Sequence, residues 1–523
     1  MSVQGWLLFI LLVQVIHGLG TWKLYVKAGR QAWEAFVPIY NSIVLMKIIN
    51  RSTWWTLLLF IPVINLFMFP IIWIETLRTF GKKTTLDMVL GVVTIGFYIM
   101  YVNYTQEVTY FADRDLKAPT KAMDTLGSLA FAIIVATFVH TYFIQPYVIP
   151  TSSLEKSLLI GDFLFVSKFN YGARTPMTPI AAPMVHDSLP LIGTLSYLKK
   201  PQLPYFRFPK LEKIKNNDIV VFNWPRDTLD NMYHPSNRRI DKPIDKKTNY
   251  VKRCVGIAGD SLEIKGGIVF INGKELILPE RAKPQYSYNV AFDRNQINID
   301  YIVSELSITD GYGLVAQDTL IFSALTFDSA ERLKNFPGIL NVKRNIRKGA
   351  EDGTFPDFKD GKASPNRDWN GDNFGPIYIP EAGKTVALTK ESLPLYKIII
   401  TEYEGNTLEV NGDEIKINGQ VTKTYTFKQN YYWMMGDNRH NSLDARYFGY
   451  TPEDHIVGKP VFIWMSWNSN GKGINKIRWE RLFTTVSGDG QPKSYFKYFL
   501  VLLALYFVGE HFYKKKKKEK ESL

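Results

Sequence analysis

Residues 125–154 read TLGSLAFAIIVATFVHTYFIQPYVIPTSSL and contain no Lys, Arg, Asp or Glu. A helix needs about 20 mostly apolar residues to cross a bilayer, so this stretch is long enough to span one. It ends with Pro150 followed by the hydroxyl residues Thr151, Ser152 and Ser153. The stretch therefore predicts a membrane helix that leads the chain directly into a hydroxyl-bearing turn. Such turns are common at helix ends, so by themselves these hydroxyls are ordinary structure.

Three further N-terminal runs, 1–22, 53–74 and 88–106, also carry no charged side chain. Together with the first stretch they predict a multi-span membrane region of about four helices over residues 1–145. No basic residue precedes the first run, so we expect a retained helix and not a cleaved signal peptide. Since no comparable run occurs between 155 and 494, the rest of the chain predicts one large water-soluble domain.

The charges between these runs indicate a topology. Segment 23–51 is rich in Lys and Arg, which is typical of a cytoplasmic loop. Four spans then place the N-terminus and the large domain outside. Three basic residues oppose this arrangement because they would also lie outside: Arg78, Lys82 and Lys83. Pro62 and Pro70 interrupt the second run and leave open a kinked or re-entrant segment, with the N-terminus inside.

The C-terminus predicts a further membrane segment. Residues 494–513 form a possible transmembrane helix, because the lysine run 514–518 directly follows them. The basic tail 514–523 would then lie in the cytoplasm. A helix lying in the membrane interface is the alternative.

Composition excludes several classes of protein. The net charge of +14 comes from 63 Lys and Arg against 49 Asp and Glu, but the C-terminal lysine run indicates a membrane flank and not nucleic-acid binding. Cys254 is the single cysteine, which excludes an internal disulfide and a Cys-rich metal site. With no paired Cys/His spacing, we expect neither a metal nor another cofactor.

The soluble part predicts a mainly β domain. Short runs with Asn and Gly between them predict strands at 218–223, 250–256, 262–265, 269–273, 395–401, 408–410, 431–435 and 461–465. Residues 276–389 are polar and predict an insertion that is partly loop. The insertion divides the predicted β-rich core into 146–275 and 390–485.

Strand alternation makes Lys252 a candidate base. In a strand, Tyr250, Lys252 and Cys254 share one face, while Arg253 points to the other. A lysine held among apolar groups loses solvation of its ammonium, which lowers its pKa and lets it accept a proton. A solvated lysine on a half-exposed strand is the ordinary alternative.

A third segment, 434–449, is dense in polar residues: Gly436, Asp437, Asn438, Arg439, Ser442, Asp444 and Arg446. A plain turn does not need so many polar groups. These side chains could equally form ion pairs that only brace a loop.

Together the three segments resemble bacterial type I signal peptidases, the Ser/Lys leader peptidases of the S26 family. Pro150-Thr-Ser-Ser-Leu154 is similar to the family's nucleophile motif, with Thr and Leu where Ser and Met are usual. The resemblance implies that Ser153 is the nucleophile and Lys252 the general base. It also implies an oxyanion hole formed by Thr151 and Ser153.

The resemblance extends to the third segment and to the substrate. It implies that Gly436, Asp437, Asn438, Arg439, Ser442, Asp444 and Arg446 support the dyad. His440 stands where the family often has Asp, and we expect it to be peripheral. The substrate-contacting residues are expected to be Ile149, Pro150, Leu154 and Val251.

The family implies a fold and an activity. The expected fold is a mainly β catalytic domain with an inserted cap at 276–389, anchored by N-terminal transmembrane helices. The expected activity is removal of signal peptides after small residues, of the Ala-x-Ala type. The expected partners are preproteins, the lipid bilayer and the nearby export machinery, with the catalytic domain on the periplasmic side of a bacterial inner membrane.

Three alternatives remain at this point. A catalytically inactive membrane scaffold could hold exported chains without cleaving them. A self-cleaving Ser/Lys repressor-like protease shares the chemistry but has no need of four apolar spans. A transporter is suggested only by the number of apolar runs, which lack the intramembrane charges expected of one.

Overall fold

The computed structural model describes residues 3–118, 120–190, 192–228, 240–356 and 367–521. The chain divides into two compact units, and each is described by itself. The first comprises Met1–Phe143, Arg174–Phe208 and Asp241–Lys246; the second comprises Ile144–Ala173, Pro209–Ile240 and Lys247–Leu523.

The first unit is helical. Its helices are α1 (Val3–Lys27), α2 (Tyr40–Ile48), α3 (Trp55–Leu58), α4 (Ile64–Thr79), α5 (Thr85–Val93), α6 (Phe97–Thr105) and α7 (Lys121–Tyr142). Its core contains Tyr25, Val44, Ile72 and Val102. The packed residues come from four helices, so the unit has an apolar interior of its own.

Two of the predicted spans are divided. In run 53–74, Pro62 and the left-handed Val63 (φ 71°) separate α3 from α4, while Pro70 lies inside α4. In run 88–106, Ile95 (φ 53°) and Gly96 (φ 82°) separate α5 from α6. Left-handed residues cannot continue a right-handed helix, so each run forms two shorter helices.

Three helices in the described residues are long and apolar enough to cross a membrane. They are Gln4–Lys27, Lys121–Tyr142 and Phe496–Lys516. The last lies within one continuous C-terminal helix, Phe496–Glu521, and no residue of its apolar window is buried.

The second unit is mainly β. Its strands are β1 (Ile144–Val148), β2 (Asp162–Ser167), β3 (Ile219–Asn223), β4 (Asn249–Gly256), β5 (Ser261–Lys265), β6 (Ile268–Ile271), β7 (Lys274–Glu275), β8 (Gln285–Phe292), β9 (Tyr312–Ala316), β10 (Thr319–Thr326), β11 (Ile339–Arg344), β12 (Phe374–Tyr378), β13 (Thr385–Ala387), β14 (Leu408–Asn411), β15 (Glu414–Ile417), β16 (Gln420–Val421), β17 (Thr424–Thr426), β18 (Tyr431–Met435), β19 (Thr451–Pro452), β20 (Ile456–Ser466) and β21 (Thr484–Thr485). Its helices are α8 (Ile299–Glu305), α9 (Phe327–Leu333), α10 (Leu393–Ile398), α11 (Ala445–Phe448) and α12 (Phe496–Glu521).

The largest sheet positions the candidate site. Its strand order is β1-β2-β20-β3-β4-β18-β19, with β21 also paired to β20. All pairs are antiparallel, and Lys252 on β4 lies opposite Val220 on β3. One face of this sheet covers a core that includes Phe222, Val255 and Trp433.

The predicted insertion contains a sheet of its own, in the order β11-β8-β10-β9. Tyr286, Val290, Phe322 and Leu333 pack in its separate core, so this part is more ordered than the polar sequence suggests. β12 pairs instead with β5, outside the predicted insertion. The Asp/Gly cluster at 357–361 lies outside the described residues. The cap and its boundaries therefore stay a prediction.

One predicted strand is wrong. Residues 395–401 fall in α10 and in the π-helical turn Ile399–Tyr403 that follows it. The isoleucines predicted a strand, but Pro394 is favourable in the first turn of a helix. Ile399 and Ile400 are fully buried in the core, so packing overrides the β preference.

The remaining predicted strands each overlap a strand of the structure. The predicted fold class is confirmed. The chain has a mainly β domain and N-terminal apolar helices that could span a membrane.

Candidate active site

A short turn after β1 holds Ser153. The Ile149 N–H donates to the Asp162 carbonyl, and the Gly161 N–H donates back to the Ile149 carbonyl, both at 2.9 Å. These bonds fix the end of β1 to β2. The chain then makes one 3-10 turn, Ser152–Leu154, in which Leu154 is fully buried and anchors the turn. The Ser153 side chain is therefore held in place on both sides, and it is itself buried.

Lys252 reaches this serine from β4. Its Nζ lies 2.5 Å from Ser153 Oγ, and the lysine is only 4% exposed. The ring of Tyr250, on the same face of the strand, lies 5.6 Å from Nζ. A hydroxyl and an amine at this distance can exchange a proton directly.

Burial changes the proton affinity of Lys252. Loss of solvation lowers the pKa of the Lys252 ammonium to about 8, from an ordinary value of 10.5. The Asp444 carboxylate opposes this shift, while the Arg446 guanidinium adds to it. A usable fraction of neutral amine is therefore present near neutral pH.

An ion pair joins β4 to the loop after β18. Arg253 donates to Asp437 through Nε at 2.8 Å and through Nη2 at 2.6 Å, and both residues are buried. Ser157 Oγ donates to the same carboxylate at 2.6 Å. Burial alone would raise the pKa of Asp437, but Arg253 and Ser157 outweigh it and hold that pKa below its ordinary value.

A second buried pair braces the loop internally. Asp444 accepts from Arg446 Nε at 2.9 Å and Nη2 at 2.8 Å, and from the Gly436 N–H at 3.0 Å. Arg446 also donates to the carbonyls of Gly371 and Arg439. The loop thus closes on itself beside Lys252.

Gly436 allows the loop to approach the nucleophile closely. A Cβ at this position would lie 2.3 Å from Ser442 Oγ and 2.6 Å from the Ser153 carbonyl oxygen. Any side chain would have to displace both of them. Ser442 Oγ is buried and has no hydrogen-bond partner among the residues that the structure describes.

Asn438 and Arg439 hold the two sides of the site together. The Asn438 N–H donates to the Ser153 carbonyl at 3.1 Å, and its side-chain amide donates to the Ser152 carbonyl at 3.2 Å. The Arg439 N–H donates to the Gln285 carbonyl at 2.9 Å. The predicted support residues therefore lie in one segment, the loop after β18 and the start of α11, that contacts the serine turn, β4 or β8.

The predicted substrate-contacting residues differ in exposure. Pro150 is exposed and Val251 is half-buried, whereas Ile149 and Leu154 are buried. Ile149, Leu154 and Val251 belong to one apolar cluster. Thr151 is exposed in extended backbone, with φ −130° and ψ 158°, directly before the serine turn.

One stretch of β4 has an open side. β18 pairs with β4 only from Arg253 onward, at Arg253, Cys254 and Gly256. Tyr250, Val251 and Lys252 pair with β3 on their other side. In the described part of the chain, no strand pairs with these three residues on the β18 side.

His440 contacts neither Ser153 nor Lys252 through a hydrogen bond. Its Nδ1 accepts from the Ser287 N–H at 2.7 Å, and its Nε2 lies 2.8 Å from Asp372 Oδ1. The imidazole therefore connects the loop to β8 and to the segment before β12.

Three residues that contact the site were missed from the sequence. Ser157 donates to Asp437, the Gln285 N–H donates to the Asp437 carbonyl, and Asp310 accepts from Asn438 and Asn441. Gln285 and Asp310 lie inside the predicted insertion, far along the chain from the motifs. No local pattern marks them, although Ser157 lies only four residues after Ser153.

Comparison with known proteins places this chain in a family. The family described as "Signal peptidase, peptidase S26" matches residues 122–324 and 380–467, which is more than half of the chain. A second family, of unknown function (DUF5684), matches residues 33–113 in the helical unit.

Relatives agree with this match. Signal peptidase I of Buchnera aphidicola subsp. Acyrthosiphon pisum is 26% identical over 69% of this chain and 82% of its own length. Signal peptidase I of Haemophilus influenzae is 23% identical over 70% of this chain and 76% of its own. Signal peptidase I of Helicobacter pylori is 23% identical over 69% of this chain and 91% of its own length. The chain therefore belongs to the signal peptidase family, peptidase S26, and is a serine peptidase.

Proposed function

We propose that this membrane-anchored signal peptidase cleaves preproteins with a Ser/Lys dyad. Ser153 is the nucleophile and neutral Lys252 is the general base. The observation that carries this proposal is the distance of 2.5 Å between Lys252 Nζ and Ser153 Oγ, with both side chains buried.

The reaction proceeds through an acyl-enzyme. Lys252 takes the proton from the Ser153 hydroxyl as Oγ forms a bond to the scissile carbonyl carbon. The protonated lysine then returns the proton to the leaving amine when the C–N bond breaks. Water, deprotonated by Lys252, then attacks the ester carbonyl carbon. As the ester C–O bond breaks, the protonated lysine returns this proton to Ser153 Oγ, and the new carboxyl end is released.

Two donors would stabilise the negative oxygen of the tetrahedral intermediates. The Ser153 N–H lies in the serine turn, and the exposed Thr151 hydroxyl precedes it. Loss of one such donor typically lowers the rate by about 10²–10³-fold.

The substrate would bind as an added β-strand. The open side of Tyr250, Val251 and Lys252 offers main-chain groups that an extended peptide can pair with. Pro150 and Val251 would contact substrate side chains directly, while Ile149 and Leu154 would form the wall behind them. An apolar wall this close to the backbone favours small side chains, which is the basis of the proposed Ala-x-Ala specificity.

The loop residues act by positioning. Asp437 fixes Arg253, which neighbours Lys252 on β4. Asp444 holds the Gly436 N–H and keeps Arg446 paired beside the amine. Ser442 contributes a buried hydroxyl next to the serine turn.

The domain arrangement follows the same proposal. Residues 146–275 and 390–485 form the catalytic core, 276–389 the inserted cap, and 494–513 a C-terminal span with the cytoplasmic tail 514–523. The catalytic domain lies on the periplasmic side of a bacterial inner membrane, where exported chains present their signal peptides. The protein then acts near the export machinery.

The test is cleavage of a preprotein with an Ala-x-Ala site by protein in liposomes. Wild-type protein should release the mature chain. Lys252→Ala should lose about 10²–10⁴-fold in rate, the usual contribution of a general acid–base group. Lys265→Ala is the matched control, because Lys265 is an exposed strand lysine at 62% side-chain exposure. Binding without cleavage by wild-type protein would instead identify a scaffold. Equal cleavage after replacing both alanines by Leu would contradict the specificity.

A further inference from the structure

Three arginines in the helical unit share one carboxylate. Glu75 accepts from Arg51 Nε at 2.9 Å, from Arg78 Nη1 at 3.0 Å and from Arg114 Nη2. Arg114 also donates to Thr79 Oγ1 at 2.8 Å. Glu75 and Arg114 are buried.

These arginines stand at the ends of the two divided runs. Arg51 precedes α3, Arg78 is in the last turn of α4, and Arg114 follows α6. A chain that crossed the bilayer twice between Arg51 and Arg114 would place Arg78 on the opposite side, across about 30 Å of hydrocarbon. Hydrogen bonds to a single side chain exclude that separation. Arg51, Arg78 and Arg114 therefore lie at the same depth relative to the bilayer. Each of the two runs between them starts and ends on the same side of the membrane.

The charge of this cluster indicates its depth in the membrane. Three guanidinium groups face one carboxylate, and a surplus of positive charge is unfavourable in hydrocarbon. Arg78 further donates to the Lys117 carbonyl at 2.9 Å, in a segment rich in charged residues. The cluster therefore belongs at a membrane surface, and basic residues favour the cytoplasmic one.

The hairpin of α5 and α6 is too short to span. Each helix has nine residues, about 13 Å of rise, which is less than half of the hydrocarbon thickness. Gly96 turns the chain against the Trp73 ring, where a Cβ would lie at 2.8 Å. Val93, Ile95 and Phe97 at the turn are 73%, 71% and 56% exposed. This tip is apolar and uncovered within the unit.

The hairpin of α3 and α4 reaches deeper. α4 has 16 residues, about 24 Å of rise, and the chain bends at Pro62 before it. The Tyr142 hydroxyl of α7 donates to the Pro62 carbonyl at 3.4 Å. Tyr142 is the last residue of α7, so the bend reaches the end of that helix. The contact satisfies one carbonyl of the non-helical backbone, which inside a membrane needs such partners from protein.

We propose that residues 51–114 bind the bilayer from one face only, as two re-entrant helical hairpins. The apolar tip at 93–97 lies among the lipid acyl chains of the leaflet on the Glu75 side. Of the N-terminal helices, only α1 and α7 then cross. The large domain stays on the side of the membrane that four spans predict, because two crossings and four crossings are both even numbers. Arg78, Lys82 and Lys83 join the basic residues of 23–51 on the cytoplasmic side.

Contacts at the two ends of α1 agree with this arrangement. At its C-terminal end, the Leu24 N–H donates to Asn103 Oδ1 at 3.1 Å, near the end of α6. At its N-terminal end, Trp6 Nε1 donates to the Gln202 carbonyl at 3.1 Å. The Phe208 ring of that same segment contacts Tyr142, at the end of α7. The start of α1 and the end of α7 thus both contact segment 202–208. The C-terminal end of α1 instead contacts the end of α6.

Cysteine labelling of the 80–84 turn tests the proposal. Lys82→Cys and Lys83→Cys would be treated with a membrane-impermeant maleimide on spheroplasts before and after permeabilisation. Wild-type protein is the blank, because Cys254 is fully buried. Lys274→Cys on the large domain and Lys117→Cys are the outside and inside controls. We expect the turn to label only after permeabilisation, as Lys117→Cys does.

Labelling of the turn on intact spheroplasts would restore four spans and overturn the proposal. If neither cysteine reacts, an epitope inserted after Gly81 and read by an antibody decides the side in the same way. Preprotein cleavage by the same variants is measured in parallel and should be unchanged, so failure of the topology is distinguishable from failure of the peptidase mechanism.

The occupant of the tip is tested separately. A photo-crosslinking residue at position 95, in place of Ile95, should couple to lipid in native membranes. The same residue in place of Ile277, an 85% exposed side chain of the large domain, is the control and should not. Coupling of position 95 to a second copy of the chain or to another protein would contradict lipid as the occupant.

Discussion

Arg253 and Asp437 form a bidentate ion pair with donor–acceptor distances of 2.8 and 2.6 Å. Arg253 directly follows the proposed base Lys252. Asp437 directly follows Gly436, where an added Cβ would lie 2.6 Å from the Ser153 carbonyl oxygen. The pair therefore sets the distance between the strand that carries the base and the loop that supports the nucleophile.

Asp437→Ala should be strongly destabilising. It leaves the Arg253 guanidinium buried without its partner, which typically costs about 3–5 kcal/mol. Urea unfolding in detergent measures the change. Glu331→Ala is the matched control, since the Glu331–Lys334 pair is exposed and such pairs contribute less than about 1 kcal/mol. Equal effects of the two variants would show that the buried pair is not what joins the strand to the loop.

The same pair predicts a dependence on acidity. The pKa of Asp437 is held below its ordinary value, so its stabilising contribution is complete above the unfolded-state pKa of about 3.9. It is lost as the pH falls through the folded-state value. Wild-type stability should therefore fall more steeply below pH 4 than that of Asp437→Asn. Parallel curves would contradict this assignment.

Cleavage should increase with pH through a limb near 8. Burial lowers the pKa of Lys252 to about 8, so the neutral amine rises about tenfold per pH unit below that value. The measurement is kcat/KM for a preprotein between pH 6 and 10. A limb near 6.5 would indicate a histidine base, and a limb near 10.5 an unperturbed lysine.

Gly436→Ala should lower kcat while leaving the fold intact. The added methyl would have to displace both Ser442 Oγ and the Ser153 carbonyl, and a shift of about 1 Å at a catalytic group can cost about 10²-fold. Gly490→Ala is the control, because no atom lies within 4 Å of its added Cβ. Unchanged cleavage by Gly436→Ala would show that this close approach does not position the serine.

His440→Asn should keep cleavage within a few-fold of wild type. Its imidazole contacts Ser287 and Asp372, and its loss removes hydrogen bonds worth about 1–3 kcal/mol when a buried group is left unsatisfied. A small drop in thermal stability is expected. A loss of activity as large as that of Lys252→Ala would overturn the assignment of lysine as base.

Much of this architecture follows from simple patterns. Uncharged runs of sufficient length lead to α1 and α7, and the lysine run 514–518 marks the C-terminal apolar segment that forms α12. Strand alternation places Lys252 on the face of Tyr250. The pairing of Lys252 with Ser153 came from the family resemblance, because no local rule brings together residues that are 99 positions apart.

Other features depend on tertiary contacts that a local pattern does not contain. Residues 395–401 have β-branched side chains, yet burial of Ile399 and Ile400 stabilises a helix there. Ile95 adopts φ 53° beside Gly96, and α5 ends there. The surrounding run 88–106 is nevertheless as apolar as a membrane span. Asp310 reaches the site through folding of the segment between β8 and β10.

The most direct test of the Ser/Lys account compares two adjacent serines. Ser152 and Ser153 lie in the same turn, but only Ser153 Oγ contacts Lys252 Nζ, while Ser152 Oγ accepts from Asn441 at 3.0 Å. Preprotein cleavage in liposomes would be measured for Ser152→Ala and Ser153→Ala. The account predicts that Ser153→Ala abolishes cleavage and that Ser152→Ala stays within a few-fold of wild type. Retained cleavage by Ser153→Ala, with loss in Ser152→Ala, would contradict it.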